Sequence, residues 1–527
     1  MGTRKLPIGI QDFVSIREDG YLYVDKTALI HRLVQEGKVY FLSRPRRFGK
    51  SLTCSTFGAY LEGRRDLFAG LALERLETEW TEYPVLRLDL NAETYTGIDG
   101  LKAIINLHLT RWERRYPPEF TAETPAGRFA LVIEQAHRRT GVRACVIIDE
   151  YDKPLLSTIG NPELHEAYKQ FLKPFFGVLK SSDAHLKFAF ITGVTKFGQV
   201  SVFSDLNQLI DLSLHKEYAA LCGITEEELL DGFQPEIDAL AAQEGVSYDE
   251  CVVRIREWYN GYRFHPAGPA VYNPFSTLNL FNFNEFQDFW FQTGTPTFLV
   301  ELLKKTDTDL REVDGIQLPA RDFADYRADP DRPVPVIYQS GYLTIKDYDP
   351  TLRFYTLGYP NAEVKHGFLA FLLPDYTGQS RDRGGFHIGM FSKELADGDV
   401  DAFMERLKCF FESIPYDLND RTERHYHVVF YLVFKLLGQY VESEVKSAKG
   451  RSDAVVSAGA YRYVFEFKLN GTAEEALAQI DEKGYLIPYR AHGGGREPAG
   501  SAQALVKVGV EFDREARNIG RWIAVEA

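Results

Sequence analysis

Short apolar runs alternate with longer amphipathic stretches through the first part of the chain. Val39–Leu42, Pro84–Leu90, Ala144–Ile148, Leu186–Ile191 and Leu209–Ser213 read as strands, and the five consecutive apolar residues of the third fit a central strand buried on both faces. Between them, segments near 52–61, 100–115 and 127–139 carry helical periodicity, with Pro117-Pro118 as a break. Strands alternating with helices predict a parallel, three-layer α/β domain over about residues 1–215. Upstream, Asp25 or Thr27 caps a helix that runs to about Gln35 and stops at Gly37. In a nucleotide-binding protein such an entry segment packs near the base; the alternative is an N-terminal extension that only covers the sheet.

The pattern then changes. Thr225-Glu226-Glu227-Glu228 opens a helix as a capping box, and residues 216–310 read as an aromatic-rich helical lid. Residues 311–400 read as a small mixed module and linker: Pro335–Gln339 and Tyr342–Asp347 as short β segments, Asp375–Gly389 as a polar linker. Residues 401–527 form a last domain. It has a helix over about Glu423–Tyr440, an apparent hairpin whose first strand begins at Asp453, and a helix over Ala473–Gly484.

With 527 residues, the chain needs several domains. There is no run of about 18 apolar residues, so no membrane helix is expected. Nor does the N-terminus have the apolar core of a signal peptide. Five scattered cysteines without a C-x-x-C pair read as reduced cytoplasmic thiols. A net charge of −14 argues against a generic nucleic-acid coat but leaves room for a local basic channel.

Two constellations carry chemistry. In the first, strand Val39–Leu42 leads into the basic loop Arg44-Pro45-Arg46-Arg47-Phe48 and then Gly49-Lys50-Ser51-Leu52 at a helix start. A helix N-terminus after such a loop cradles phosphates; Lys50 reaches the β/γ-phosphates and the Ser51 hydroxyl ligates Mg²⁺. The usual cradle has glycine at the position of Arg44, so the loop is expected to turn on Arg44-Pro45 instead. About a hundred residues later, Asp149 and Glu150 end a buried strand. Asp149 is read as the Mg²⁺ holder and Glu150 as the general base that polarises water. Thr192, with Thr195 second, is the candidate γ-phosphate sensor at the tip of the neighbouring strand. Arg263 is a candidate arginine reaching in from the lid, against a plain structural turn.

In the second constellation, Glu466 and Lys468 are two apart on an apolar strand and project to one face. Asp453 on the preceding strand lies across from them. Asp453 and Glu466 make an oxygen-ligand metal site, and Lys468 orients the attacking water. Gln479 and Tyr485 follow, facing either this site or a nucleic-acid backbone. Basic residues Arg421, Arg424, Lys446, Lys449 and Arg451 are placed to contact phosphates.

With both sets in view, the chain resembles the bacterial family in which an AAA-like ATPase domain precedes a PD-(D/E)XK nuclease-superfamily domain. The likeness rests on Tyr23-Val24-Asp25-Lys26-Thr27, the Arg-Pro-Arg-Arg-Phe-Gly-Lys-Ser cradle, Ile148-Asp149-Glu150-Tyr151-Asp152-Lys153-Pro154, Asn260-Gly261-Tyr262, Gly450-Arg451-Ser452-Asp453, Phe465-Glu466-Phe467-Lys468 and Ala476-Leu477-Ala478-Gln479-Ile480. It implies ATP as the nucleotide and a restriction-endonuclease-like C-terminal fold with Asp453, Glu466 and Lys468 as its catalytic set. It also implies an upstream glutamate, Glu444 in preference to Glu442, as a further metal ligand. Nucleic acid, with DNA favoured, is the implied partner, and assembly into a homo-oligomer would supply an arginine from a neighbour. The reading from a different class is an ATP-gated regulatory scaffold whose nuclease-like domain binds without cutting.

Overall fold

The structure, a computed structural model, describes residues 4–91, 95, 97–158, 161–196, 202–203, 206–290, 303, 313–321, 333–378, 381–414, 423–438, 442–445, 454–468, 471–490, 503–513, 516 and 518–527. The chain divides into two compact units, Met1–Thr293 with Gly315–Glu363, and Gly294–Asp314 with Val364–Ala527.

The first unit is built on a five-stranded parallel sheet in the order β2-β3-β4-β1-β5. The strands are β1 (Val39–Ser43), β2 (Val85–Asp89), β3 (Ala144–Asp149), β4 (Leu186–Gly193) and β5 (Leu209–Asp211). β1 is buried along its whole length, β4 everywhere but at the half-buried Lys187, and β3 to its penultimate residue, as continuous apolar runs between two helical layers should be. β4 lies between β1 and β3, so the tip of β4 sits beside both the basic loop and the Asp-Glu pair.

Helices Thr27–Glu36, Ile98–Arg115 and Pro125–Thr140 fall where the periodicity placed them. At the first, Asp25 Oδ1 accepts from the Thr27 backbone N–H (2.8 Å) and hydroxyl (2.6 Å), and Gly37 follows as the stop. The capping box at Thr225 and Glu228 is present and opens the helix Glu226–Gly232. A three-stranded sheet, β6 (Ile224–Thr225), β7 (Tyr262–Arg263) and β8 (Ala270–Tyr272), braces the helices beyond it.

Two expectations need correction. Residues Pro335–Gln339 lie in a helix, Pro333–Gln339, not in a strand. Its prolines stand in the first turn, where a fixed φ and a missing N–H fit a helix start. The Asp375–Gly389 stretch is mostly helical, divided between Ala362–Thr377 and Arg381–Ala396, so its described part is no linker. The other β segment is found, shifted, in an antiparallel sheet of β9 (Ile316–Pro319), β10 (Thr344–Asp349) and β11 (Phe354–Gly358).

The second unit holds a mixed sheet in the order β12-β13-β14-β15-β16. These are β12 (Glu442–Val445), β13 (Ala454–Ala458), β14 (Tyr461–Lys468), β15 (Ala504–Asp513) and β16 (Asn518–Glu526). β13 and β14 form an antiparallel hairpin, and β14 pairs in parallel with β15 through the crossover helix Ala473–Glu482. One face of β14 presents Phe465 and Phe467 to Phe434 and Phe430. On the other, Val464 packs with Ile480 of the crossover helix.

Candidate functional site

β1 delivers the chain into the basic loop, and the helix Lys50–Leu61 leaves it. The left-handed residues of this loop are Arg47 (φ 68°) and Gly49 (φ 87°), not Arg44 and Pro45 as the sequence suggested. Arg44 instead extends the pairing of β1: its N–H donates to Gly193 O at 3.1 Å. Its guanidinium is buried, donating to Ser43 O and Ser213 O (both 2.9 Å) and Tyr218 O (3.2 Å), and lies 3.9 Å over the Phe264 ring. The arginine in the usual glycine position is therefore an internal fastener of β1 and β5.

The rest of the loop is held from outside the sheet. Phe48 is buried edge-on against Tyr262 (4.7 Å) and Phe264 (5.4 Å). Arg47 stacks on Phe275 at 3.7 Å, while Arg46 is exposed. The Lys50 ammonium donates to Arg44 O (3.1 Å) and Pro45 O (3.0 Å), which curls the loop around its own lysine. Ser51 and Leu52 occupy the first turn, both half-buried.

Asp149 and Glu150 emerge from β3 opposite this loop. Asp149 Oδ1 accepts from the Thr192 hydroxyl and from the Glu150 N–H (3.1 Å), which leaves Oδ2 as the oxygen that would reach a divalent cation. Glu150 takes a left-handed backbone (φ 52°), and burial raises its carboxyl above the usual range against the opposing pull of Lys50. Thr195, the second sensor candidate, is tied elsewhere. Its N–H (2.6 Å) and hydroxyl (2.7 Å) both donate to the buried Asp152, which also takes the Val194 N–H. Gly193 allows this latch, since a Cβ there would lie 2.6 Å from the Tyr151 ring and 2.7 Å from Asp152 Oδ1. Sequence reasoning missed Asp152. Arg263 is knitted in by its backbone, with its N–H on Thr344 Oγ1 (2.6 Å) and its carbonyl accepting from the same hydroxyl (3.1 Å).

Beside Gly49 and Leu52 lies a small, mostly apolar cavity of about 90 Å³, lined by Leu22 and Val24 of the entry segment and by Leu221, Ile224 and Leu278. Its cation, Lys26, is paired with Glu228 at 2.6 Å; burial pulls its pKa down while Glu228 opposes the shift.

In the second unit, Glu466 is buried and Lys468 half-buried on the face of β14 that meets the crossover helix. Gln479 joins them: its amide nitrogen donates to Glu466 Oε1, and its carbonyl oxygen accepts from the Lys468 ammonium. Lys468 Nζ stands 3.9 Å from Glu466 Oε1, and Gln479 also reaches the Tyr485 hydroxyl at 3.5 Å. The helix carrying Gln479 can approach because Gly509 is the partner of Glu466 on β15. A Cβ at Gly509 would lie 2.3 Å from Ala473 O and 3.0 Å from Leu477 N. Nothing in the sequence marked that glycine.

Asp453 lies outside the described residues, as do Arg421, Lys446, Lys449 and Arg451, and only the backbone is described for Arg424 and Glu444. Glu444 pairs with Val455, and Val455 with Val464, which places Glu444 two rungs from Glu466 and Glu442 two rungs further away. Among the described residues no three His, Cys, Asp or Glu side chains converge as a metal site.

A parallel sheet with a Gly-Lys-Ser turn and a paired Asp-Glu strand tip, together with a mixed sheet bearing Glu-x-Lys, defines a two-part protein. Residues 7–203 match the AAA-ATPase-like family, described as a predicted AAA-ATPase, and residues 421–522 match the PD-(D/E)XK nuclease superfamily. The chain belongs to the family that joins these two domains. It is 38% identical over 534 residues to a protein of Azotobacter chroococcum mcd 1 described as an uncharacterized protein in the vnfD 5' region, with 98% of each chain covered. Among the described residues no helix is long and apolar enough to cross a membrane.

Proposed function

We propose that this protein hydrolyses ATP and, through that cycle, governs a Mg²⁺-dependent phosphodiesterase that cuts nucleic acid, DNA in preference, in the cytoplasm. In the first unit the backbone N–H groups around Arg47–Lys50 hold phosphate oxygens, Lys50 moves from the loop carbonyls to the β/γ-phosphates, and the base enters the apolar cavity. Ser51 and Asp149 would hold Mg²⁺, which neutralises charge developing on the transferred phosphoryl group when bound. Glu150 orients the attacking water and takes its proton; a raised carboxyl pKa suits a base. Thr192 fixes Asp149, and a neighbouring copy in a homo-oligomer supplies the arginine.

In the second unit Asp453, Glu466 and Glu444 would hold the divalent ion, and Lys468 orients the water. The observation that carries the cutting reading is the Glu466–Gln479–Lys468 bridge. A carboxylate and an ammonium are kept together on the face of β14 that meets the crossover helix, by a side chain that fixes both. Burying such groups is costly without a use or a partner.

The test is cleavage of single- and double-stranded DNA and RNA with Mg²⁺ or Mn²⁺, with and without ATP, alongside phosphate release. Cleavage lost in Lys468→Ala with ATP turnover intact is expected. Cleavage surviving that change removes the nuclease assignment. A wild type that turns over ATP and cuts nothing replaces it with the ATP-gated scaffold.

A further inference from the structure

Away from both constellations, residues 106–143 contain seven arginines against four carboxylates in a chain of net charge −14. They lie on the helices Ile98–Arg115 and Pro125–Thr140 and their flanking loops. Two arginines are neutralised locally, Arg128 by Glu113 (2.7 Å) and Arg138 by Glu119 (3.7 Å) and Glu134 (2.5 Å). Arg111, Arg114, Arg115 and Arg143 are exposed, and no ion pair joins them to any described residue.

The ends of the two helices meet. Arg139 donates to Pro117 O at 3.1 Å and Arg138 meets Glu119, so the end of the second helix lies against the chain leaving the first. The floor is rigid: Trp112 stacks on Phe129 at 5.5 Å, and Phe129 on Phe175 at 4.7 Å. Cations in a helix's last turn favour its dipole, which accounts for Arg114 and Arg115. It does not account for Arg111, a turn earlier, or for Arg143, beyond the second helix. Nor does it account for Phe120, which stands 64% exposed in the loop next to Glu119.

Exposed cations without ion pairs and an exposed aromatic ring on the same pair of helices and their flanking loops are the elements of a single-strand site: guanidinium groups track phosphates, and a ring face stacks an unpaired base. We propose that this surface of the ATPase-like unit binds single-stranded nucleic acid. The proposal rests on the nucleic-acid reading above and adds a contact surface and a strand form to it.

The probe is a fluorescein-labelled thirty-nucleotide poly-dT, bound to the full chain and followed by anisotropy from about 50 to 200 mM salt. The variant Arg111→Gln/Arg114→Gln/Arg115→Gln/Arg143→Gln should bind at least tenfold more weakly. It should also lower the slope of log affinity against log salt by about 3, at roughly 0.7 per phosphate contact. Phe120→Ala should weaken binding about tenfold with the slope unchanged. Basal ATP turnover, equal to wild type in both, shows that the unit is folded. Unchanged affinity and slope in the arginine variant overturn the surface, as does a wild type that does not bind the strand. Duplex bound as tightly as poly-dT, with no effect of Phe120→Ala, overturns the strand form. Metal-dependent cleavage sensitive to Lys468→Ala is read separately, so the surface can fail while the nuclease reading stands.

Discussion

The Thr192 hydroxyl donates to Asp149 Oδ1, joining the tips of β4 and β3 at the point where the basic loop leaves β1. One carboxylate oxygen is thereby fixed, and the other is oriented. Thr192→Val keeps the shape and removes the donor. Hydrolysis should fall about 10- to 100-fold while nucleotide affinity changes little, because the loop and cavity are untouched. Turnover and equilibrium binding measured on the same preparation separate the two; wild-type turnover in the variant would show that the tie is structural only.

Gln479→Leu and Gly509→Val should act on the same point by different routes. The first deletes the bridge between Glu466 and Lys468. The second pushes the helix carrying Gln479 off β15, where only a glycine clears Ala473 O. Both should cut nuclease rate by about tenfold or more with ATP turnover preserved. Cleavage kinetics on a labelled substrate decide it, and a fully active Gly509→Val would mean that the helix is not held close.

Gly261 takes φ +113°, and a Cβ there would lie 2.1 Å from Pro360 O. The neighbouring Tyr262 is a wall against which Phe48 of the loop is packed. Gly261→Ala should cost about 2–4 kcal/mol, from strain plus a backbone clash. In a two-unit chain this is read from the transition of the unit that holds Gly261, not from a single global fit.

Glu363 is fully buried, its Oε1 accepting from Ser276 (3.0 Å) and the Trp290 N–H (2.8 Å), and burial pushes its carboxyl up to about 8. The folded state therefore holds a proton that the unfolded chain releases near the ordinary glutamate value of 4.5. Stability from this group is full below that pH and declines as pH rises to about 8, by up to about 1.4 kcal/mol per pH unit. Asp288, raised to about 6 by burial, adds a second decline in the same direction. Glu363→Gln should flatten the fall in melting temperature between pH 5.5 and 8.5; an equally steep fall in the variant would assign it to other groups.

Much of this fold was legible because its signals are local. Continuous apolar runs gave the buried parallel strands, and Thr225 with Glu228 gave a helix start. Glu466 and Lys468, two apart, do share the face that Gln479 reaches. What was not legible depends on partners distant in sequence. The phosphate loop was expected to turn on Arg44-Pro45, yet Arg44 is drawn inward by carbonyls of Ser213 and Tyr218, about 170 residues away. Pro333 and Pro335 disguised a helix as a β segment. Gly509 matters only through a parallel register with β14, which no short pattern encodes.

Four cations within seven residues make the phosphate loop look like a concentrated positive charge. The fold disperses it: Arg44 is enclosed, Arg47 lies on an aromatic face, and Lys50 is turned onto carbonyls, leaving Arg46 as the exposed guanidinium. In the proposed binding mode an incoming anion then meets a shaped ring of amide dipoles more than a cloud of positive charge. Such short-range contacts are little affected by ionic screening. Nucleotide affinity should therefore vary with ionic strength more gently than the basic residues of the loop would suggest, and far more gently than binding at the arginine surface beside Phe120.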